Sequence, residues 1–220
     1  MWPFTGGCYH PRGCENYENG CGNCQYLKSP SPDDLSKRVY STKHKIWGSG
    51  EIKFALPSQW LLTRANLSGV IEDLQKTKMK VIPNPIDVNY FRPATSIERL
   101  ESLESFGLNA NIPTLMFSAA NLMNHAKGFQ EFKEICKLLN SQGKEIQALV
   151  IGDTRSMELD LGIPMKHLGF VSDLSILRKA YWSSKMYVTT SHEENLPTTI
   201  MESLACGIPV AAFAVGGIPE

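Results

Sequence analysis

Two acidic side chains eight positions apart, Glu194 and Glu202, carry the clearest chemical signal in the chain. They lie in Ser191-His192-Glu193-Glu194-Asn195-Leu196-Pro197-Thr198-Thr199-Ile200-Met201-Glu202, where an apolar strand pattern ending near Thr190 gives way to a helical one. Proline at the start and Gly207 past the end predict a helix from Pro197 or Thr198 to about Ala205. Glu202 then sits about one turn into the helix, and Glu194 hangs in the loop facing its amino end. Free backbone N–H groups and the positive end of the helix dipole favour phosphate or hydroxyl-rich ligands there. Carboxylates accept paired hydrogen bonds from sugar diols, at roughly 1.5–3 kcal/mol for each charge-assisted bond. The outline is that of a sugar-nucleotide site. Taken alone, Glu194 could equally be an exposed loop acid and Glu202 an early-helix acid.

Lys127 stands just before a helical pattern that opens at Gly128. A cation at a helix amino end is unfavourable against the dipole unless an anion sits beside it. The plain alternative is a solvated surface lysine. Four of the six cysteines, Cys8, Cys14, Cys21 and Cys24, crowd into one Gly-rich segment, whereas Cys136 and Cys206 stand alone in apolar contexts. Cys21-x2-Cys24 has the bite of half a zinc knuckle, and Cys8-x5-Cys14 is wider than the usual pair. Structural zinc on four thiolates, reduced thiols and disulfides all stay open, with His10 as a substitute ligand. His192, beside the acid pair, is more often a bystander at such a position than a substrate contact.

The elements that position these residues read as follows. The first thirty-odd residues lack periodicity. Lys53 to Pro57 and Met79 to Pro83 read as strands flanking a helix from about Ser58, which caps it. A proline-rich stretch from Val81 to Pro93 reads as a linker, giving domains 1–90 and 91–220. Beyond it, strands at 114–118, 146–151, 167–170, 186–189 and 209–214 alternate with helices at 128–139, 174–181 and 199–205. Alternation of this kind implies an α/β fold with a parallel sheet covered on both faces, its ligands bound beyond the carboxyl ends of the strands. Because the last strand has no helix after it, we read the chain as an internal piece of a longer protein.

Composition narrows the function classes. The 22 basic residues balance 22 acidic ones and are not bunched into a stripe, which argues against nucleic-acid binding. No apolar run reaches the roughly 18 residues of a membrane span. The opening residues carry no secretory signal pattern, which makes the cytoplasm the expected compartment.

Glu194-x7-Glu202, followed by Ser203-Leu204-Ala205-Cys206-Gly207-Ile208-Pro209-Val210 and Gly216-Gly217-Ile218-Pro219-Glu220, resembles family 4 retaining glycosyltransferases of the GT-B fold. The likeness extends in order through Val81-Ile82-Pro83-Asn84-Pro85-Ile86-Asp87, Lys127-Gly128-Phe129, Val150-Ile151-Gly152-Asp153 and His167-Leu168-Gly169-Phe170-Val171. It implies a Rossmann-like donor domain behind a remnant of the acceptor-side domain that includes the Cys-rich loop. It further implies a hexosyltransferase-like enzyme of surface polysaccharide synthesis. The sugar would pass with retention from a nucleotide-sugar donor to a saccharide or lipid-linked acceptor, with no catalytic cofactor and with peripheral association at the inner face of the membrane. By the same resemblance Glu202 binds ribose, Glu194 contacts the transferred sugar, Lys127 binds the diphosphate, and Gly128, Asn195, Leu196 and Thr198 offer further donor contacts. The arginine that usually precedes the lysine is missing, with His125 or Asn124 as the substitutes at hand. A non-catalytic sugar-nucleotide module and a zinc-dependent interaction module are the alternatives.

Overall fold

A computed structural model describes residues 1–48, 52–71, 76, 78–155 and 158–220. The chain divides into two compact units, Met1–Asn84 with Pro219–Glu220, and Pro85–Ile218. Among the described residues no helix is long and apolar enough to cross a membrane.

Residues 1–34 of the first unit contain only two short 3₁₀ turns, Trp2–Phe4 and Asn16–Glu18. Then follow α1 (Leu35–Gly48), β1 (Phe54–Leu56), α2 (Gln59–Leu67) and β2 (Met79–Val81). β1 and β2 pair in parallel, Phe54 opposite Met79. Ser58 caps α2 by accepting the Leu61 N–H at 3.1 Å. Phe4, Leu56, Leu61, Val70 and Ile71 form the core of this unit.

In the second unit, α3 (Ser96–Ser105) is followed by β3 (Thr114–Asn121), α4 (Phe129–Ser141), β4 (Gln147–Asp153), β5 (Met165–His167), α5 (Leu174–Trp182), β6 (Met186–Thr189), α6 (Thr198–Ala205) and β7 (Val210–Ala212). All strand pairs are parallel, in the order β5-β4-β3-β6-β7. Successive side chains of a strand point to opposite faces, and the two cores divide accordingly. Met116, Leu149, Ile151 and Tyr187 join Phe91, Tyr181 and Trp182 on one face. Leu115, Phe117, Val150 and Val188 join Phe129, Phe132 and Cys136 of α4 on the other. The near-continuous apolar strands of the sequence are those of a sheet buried on both sides.

Four features differ from the sequence reading. α3, which the strand–helix reading left out, is fixed by a capping box: the Thr95 side chain accepts the Glu98 N–H, and the Glu98 carboxylate accepts the Thr95 N–H. The Thr-x-x-Glu signal was present, masked by the prolines before it. The fifth strand is Met165–His167 rather than 167–170, because Gly169 takes a left-handed φ of 68° that ends the extended run. The third strand runs on to Asn121 through a register shift after Ser118. Tyr90 and Phe91, read as linker, pack into the core of the second unit.

Candidate active site

The order of the sheet locates the site. From β3 the chain winds outward through β4 and β5, then returns to place β6 on the other side of β3. The loops leaving β3 and β6 therefore diverge, and a crevice opens between them at the carboxyl ends of the strands. A cleft of about 390 Å³ lies there, lined by Ser118, Ile151 and Thr189 at strand ends, by Lys127 after β3, and by Glu194, Pro197 and Thr198 after β6.

Backbone contacts hold the two loops together. Thr190 Oγ1 donates to the Gly128 carbonyl at 2.6 Å, and the His192 N–H donates to the Ala126 carbonyl at 2.9 Å. Gly128 has φ of 71°, and a Cβ at that position would overlap the Thr190 carbonyl oxygen. Gly216, after β7, packs in the same way against the Glu194 carbonyl, with φ of 60°. Asn124 Oδ1 caps the 3₁₀ turn His125–Lys127 by accepting the Ala126 N–H. These constraints bring Lys127 Nζ to Glu194 Oε1, where it donates at 2.5 Å; the side chains retain 33% and 13% exposure. A pair this sheltered is screened less than a surface pair. The lysine thus already faces an anion, as its place at a helix start requires.

α6 starts at Thr198 with Pro197 as its N-cap and no side-chain cap. Its Ile200 N–H donates to the Pro197 carbonyl at 3.2 Å, while the N–H groups of Thr198 and Thr199, residues that line the cleft, have no side-chain cap. Glu202, one turn further on, is half-buried, and its Oε2 accepts the Tyr181 hydroxyl at 2.8 Å. Burial first, then the charges of Tyr187 and Glu202, raise the Tyr181 pKa far above its usual value, so at ordinary pH this phenol remains a donor. Both Glu194 and Glu202 also act on Tyr187, which lines the cleft: burial chiefly, and then their two charges, push its pKa up. Glu194 lines the cleft, whereas Glu202 and Gly128 are not among the residues lining it.

Tyr181 is held in the core and presents its hydroxyl to a carboxylate that sequence spacing alone marked as a ligand. If Glu202 binds the donor, Tyr181→Phe should weaken nucleotide binding about tenfold, since a hydrogen bond to a charged group contributes roughly 1.5–3 kcal/mol. Titration calorimetry with a nucleoside diphosphate measures this. An unchanged affinity would mean that the phenol does not orient the acid.

The remaining sequence candidates are placed as follows. Asn195 and Leu196 lie in the loop between Glu194 and Pro197 but are not among the residues lining the cleft. His192 Nε2 lies 2.8 Å from Glu131 Oε1, facing the start of α4. Neither His125 nor Asn124 lines the cleft, and Asn124 Oδ1 is committed to its cap. Thr190 and Tyr181 were given no role in the sequence reading, and Gly216 entered it only within a motif. Threonine at a strand end has no distinctive pattern, and Tyr181 reads as an ordinary apolar helix position.

Solved proteins share this architecture. The chain superposes on Anabaena Alr3699/HepE, solved in complex with UDP-glucose, with a TM-score of 0.65 and 21% identity, over 85% of this chain and 51% of that one. WaaG, a glycosyltransferase involved in lipopolysaccharide biosynthesis, gives a TM-score of 0.66 at 14% identity over 82% and 50%. Sucrose-phosphate synthase from Thermosynechococcus elongatus gives 0.66 at 18% identity over 96% and 50%. The fold is that of the GT-B glycosyltransferases, with a Rossmann-like parallel sheet in the second unit.

The sequence profile of glycosyl transferases group 1 matches residues 102–220, and the chain belongs to that family. It is also 24% identical over 214 residues to an Escherichia coli (strain K12) protein named as a colanic acid biosynthesis glycosyl transferase, WcaC, covering 96% of this chain and 49% of that protein. The chain spans about half the length of these relatives.

Proposed function

We propose that this chain provides the donor-binding side of a family 4 retaining glycosyltransferase, which moves a hexose-type sugar from a nucleotide-sugar donor to a saccharide or lipid-linked acceptor in surface polysaccharide synthesis. The observation that carries the reading is the meeting of Lys127 and Glu194 at the switch-point cleft, next to a helix start with no side-chain cap. The names of the relatives supply the polysaccharide context, and the UDP-glucose complex of one of them supplies the donor class to try first.

Each group then has a task. Glu202, oriented by Tyr181, holds the ribose hydroxyls. The N–H groups that open α6 and the Lys127 ammonium take the diphosphate, the lysine exchanging part of its pairing with Glu194 for phosphate oxygen. Glu194 then faces the sugar near its reacting carbon. The bond from the anomeric carbon to the diphosphate breaks while the acceptor oxygen bonds to the same face. The acceptor proton passes to a diphosphate oxygen, which departs with it. Retention follows from attack on the face that the leaving group vacates, and no nucleophile from the protein is needed. A lipid-linked acceptor would hold such an enzyme peripherally at the cytoplasmic face of the membrane.

The test is a thermal-shift panel of nucleoside diphosphates and their sugars. One donor should raise the midpoint progressively, since a ligand at a hundred times its Kd stabilises by about 2.7 kcal/mol. Transfer assays with that donor should give a product of unchanged anomeric configuration. Indifference to every nucleotide would defeat the donor-site reading, and an inverted product would defeat retention.

A further inference from the structure

We propose that Cys8, Cys14, Cys21 and Cys24 form a four-thiolate zinc site that staples the irregular segment 1–34 to the start of α1.

All four side chains line a single cavity of about 40 Å³ in the first unit, together with Gly6, Tyr17 and Ser36. That is room for an ion or very few waters. His10 does not line it, which leaves a ligand set of four sulfurs and no imidazole. Sulfur-only tetrahedral sites favour zinc.

The backbone around the cavity is pinned at every cysteine. The Cys14 N–H donates to the Pro11 carbonyl at 2.8 Å, and the Cys21 N–H to the Asn16 carbonyl at 2.7 Å. The Cys24 N–H donates to Asp34 Oδ2 at 2.8 Å, the Gly22 N–H to Ser36 Oγ at 3.0 Å, and Thr5 Oγ1 to the Cys8 carbonyl at 2.8 Å. Cys21 and Asn23 hold positive φ of 57° and 48°, left-handed conformations that cost energy outside glycine. A segment that buries so few apolar side chains gains little from its own core to offset this.

Two features pack against the cluster. The Gly6 N–H donates to Cys21 Sγ at 3.3 Å, and Gly6 has no room for a Cβ, which would strike the Ser36 carbonyl and that same sulfur. Lys43 is only 7% exposed and donates to the Trp2 and Thr5 carbonyls at 2.6 and 2.9 Å, and the Thr5 hydroxyl in turn donates to the Cys8 carbonyl. Four thiols binding one zinc ion release four protons and leave a site of net charge −2, which this sheltered cation would partly balance.

All six cysteines are free thiols. Among the described residues no group of three or more His, Cys, Asp or Glu side chains is arranged to hold an ion as it stands. A metal site here therefore requires the four side chains to reorient about the cavity they share. Metal binding would then supply ordering free energy to this segment, as structural zinc does where a core is small.

The test is elemental analysis of the chain purified without chelator. Zinc should be stoichiometric with the chain. Replacement by cobalt should give the sulfur-to-metal charge-transfer absorption of a tetrahedral thiolate site. Chelation should lower the melting temperature. Cys21→Ser and Cys24→Ser should lose the metal, whereas Cys136→Ser, outside the cluster, should keep it. If the cluster variants do not fold, the metal content and cobalt spectrum of the unaltered chain still decide. A metal-free chain whose six thiols all titrate overturns the proposal, as do disulfides among the four or iron in place of zinc.

Discussion

Replacing Lys127 with alanine is expected to slow sugar transfer by about 10²–10³-fold at saturating donor, the usual cost of losing one donor from a site that stabilises developing charge. On the proposed reading the diphosphate gains negative charge as its bond to the sugar breaks, and Lys127 is the basic side chain among the described residues that line the cleft. With no arginine in the preceding Asn121–Ala126 segment, the lysine would on that reading carry more of this load than it would in a two-cation clamp. Its removal also strands Glu194, whose side chain is 13% exposed, without its partner. Steady-state kinetics separate the two effects, because loss of the ion pair alone lowers the melting temperature without changing kcat in the surviving enzyme. Lys127→Arg should recover part of the rate, since it keeps the charge while changing its shape. A few-fold effect on kcat would remove Lys127 from the diphosphate.

Gly128→Ala should be among the most damaging single changes in the second unit. A left-handed φ of 71° costs an alanine roughly 1–2 kcal/mol. The new methyl would also meet the Thr190 carbonyl, backbone that cannot rotate aside, so the loops after β3 and β6 must part. The combined penalty should be about 4 kcal/mol, at the upper end for point mutations. In a chain of this size it corresponds to a fall in melting temperature on the order of 10 °C. Parting those loops also separates Lys127 from Glu194, so folded enzyme that survives at low temperature should bind nucleoside diphosphate poorly. Gly107→Ala is the informative control. Its φ of 67° imposes a similar conformational penalty, but nothing lies within contact distance of its Cβ. Equal effects at the two glycines would mean that conformation alone, and not the approach to Thr190, accounts for the loss.

The architecture of the second unit was legible from residue pattern because its causes are local. The Met186–Thr189 strand emerged with the bounds expected of it, and the helix carrying Glu202 began within one residue of its predicted start. Apolar runs too short for helices, separated by amphipathic stretches with glycine stops, admit few folds other than a covered parallel sheet. α3 went unread although its capping signal was in the sequence, because an exposed helix with few core contacts stands out little from a proline-rich approach.

What the sequence determined by itself was the set of chemical groups and their local geometry: an acid ahead of a helix start, an acid one turn into it, a lysine before a glycine, and four cysteines in a short coil. Whether such groups meet is a question of strand order and close packing. Strand order follows from burial summed over the whole sheet, which no short window of residues encodes. Only the folded chain sets β3 beside β6, so that residues 67 positions apart form an ion pair. Only there do Gly128 and Gly216 find the carbonyls that exclude any side chain from their positions. The hydroxyl of Tyr181 reaches Glu202 for the same reason, from a ring that the sequence marks merely as apolar.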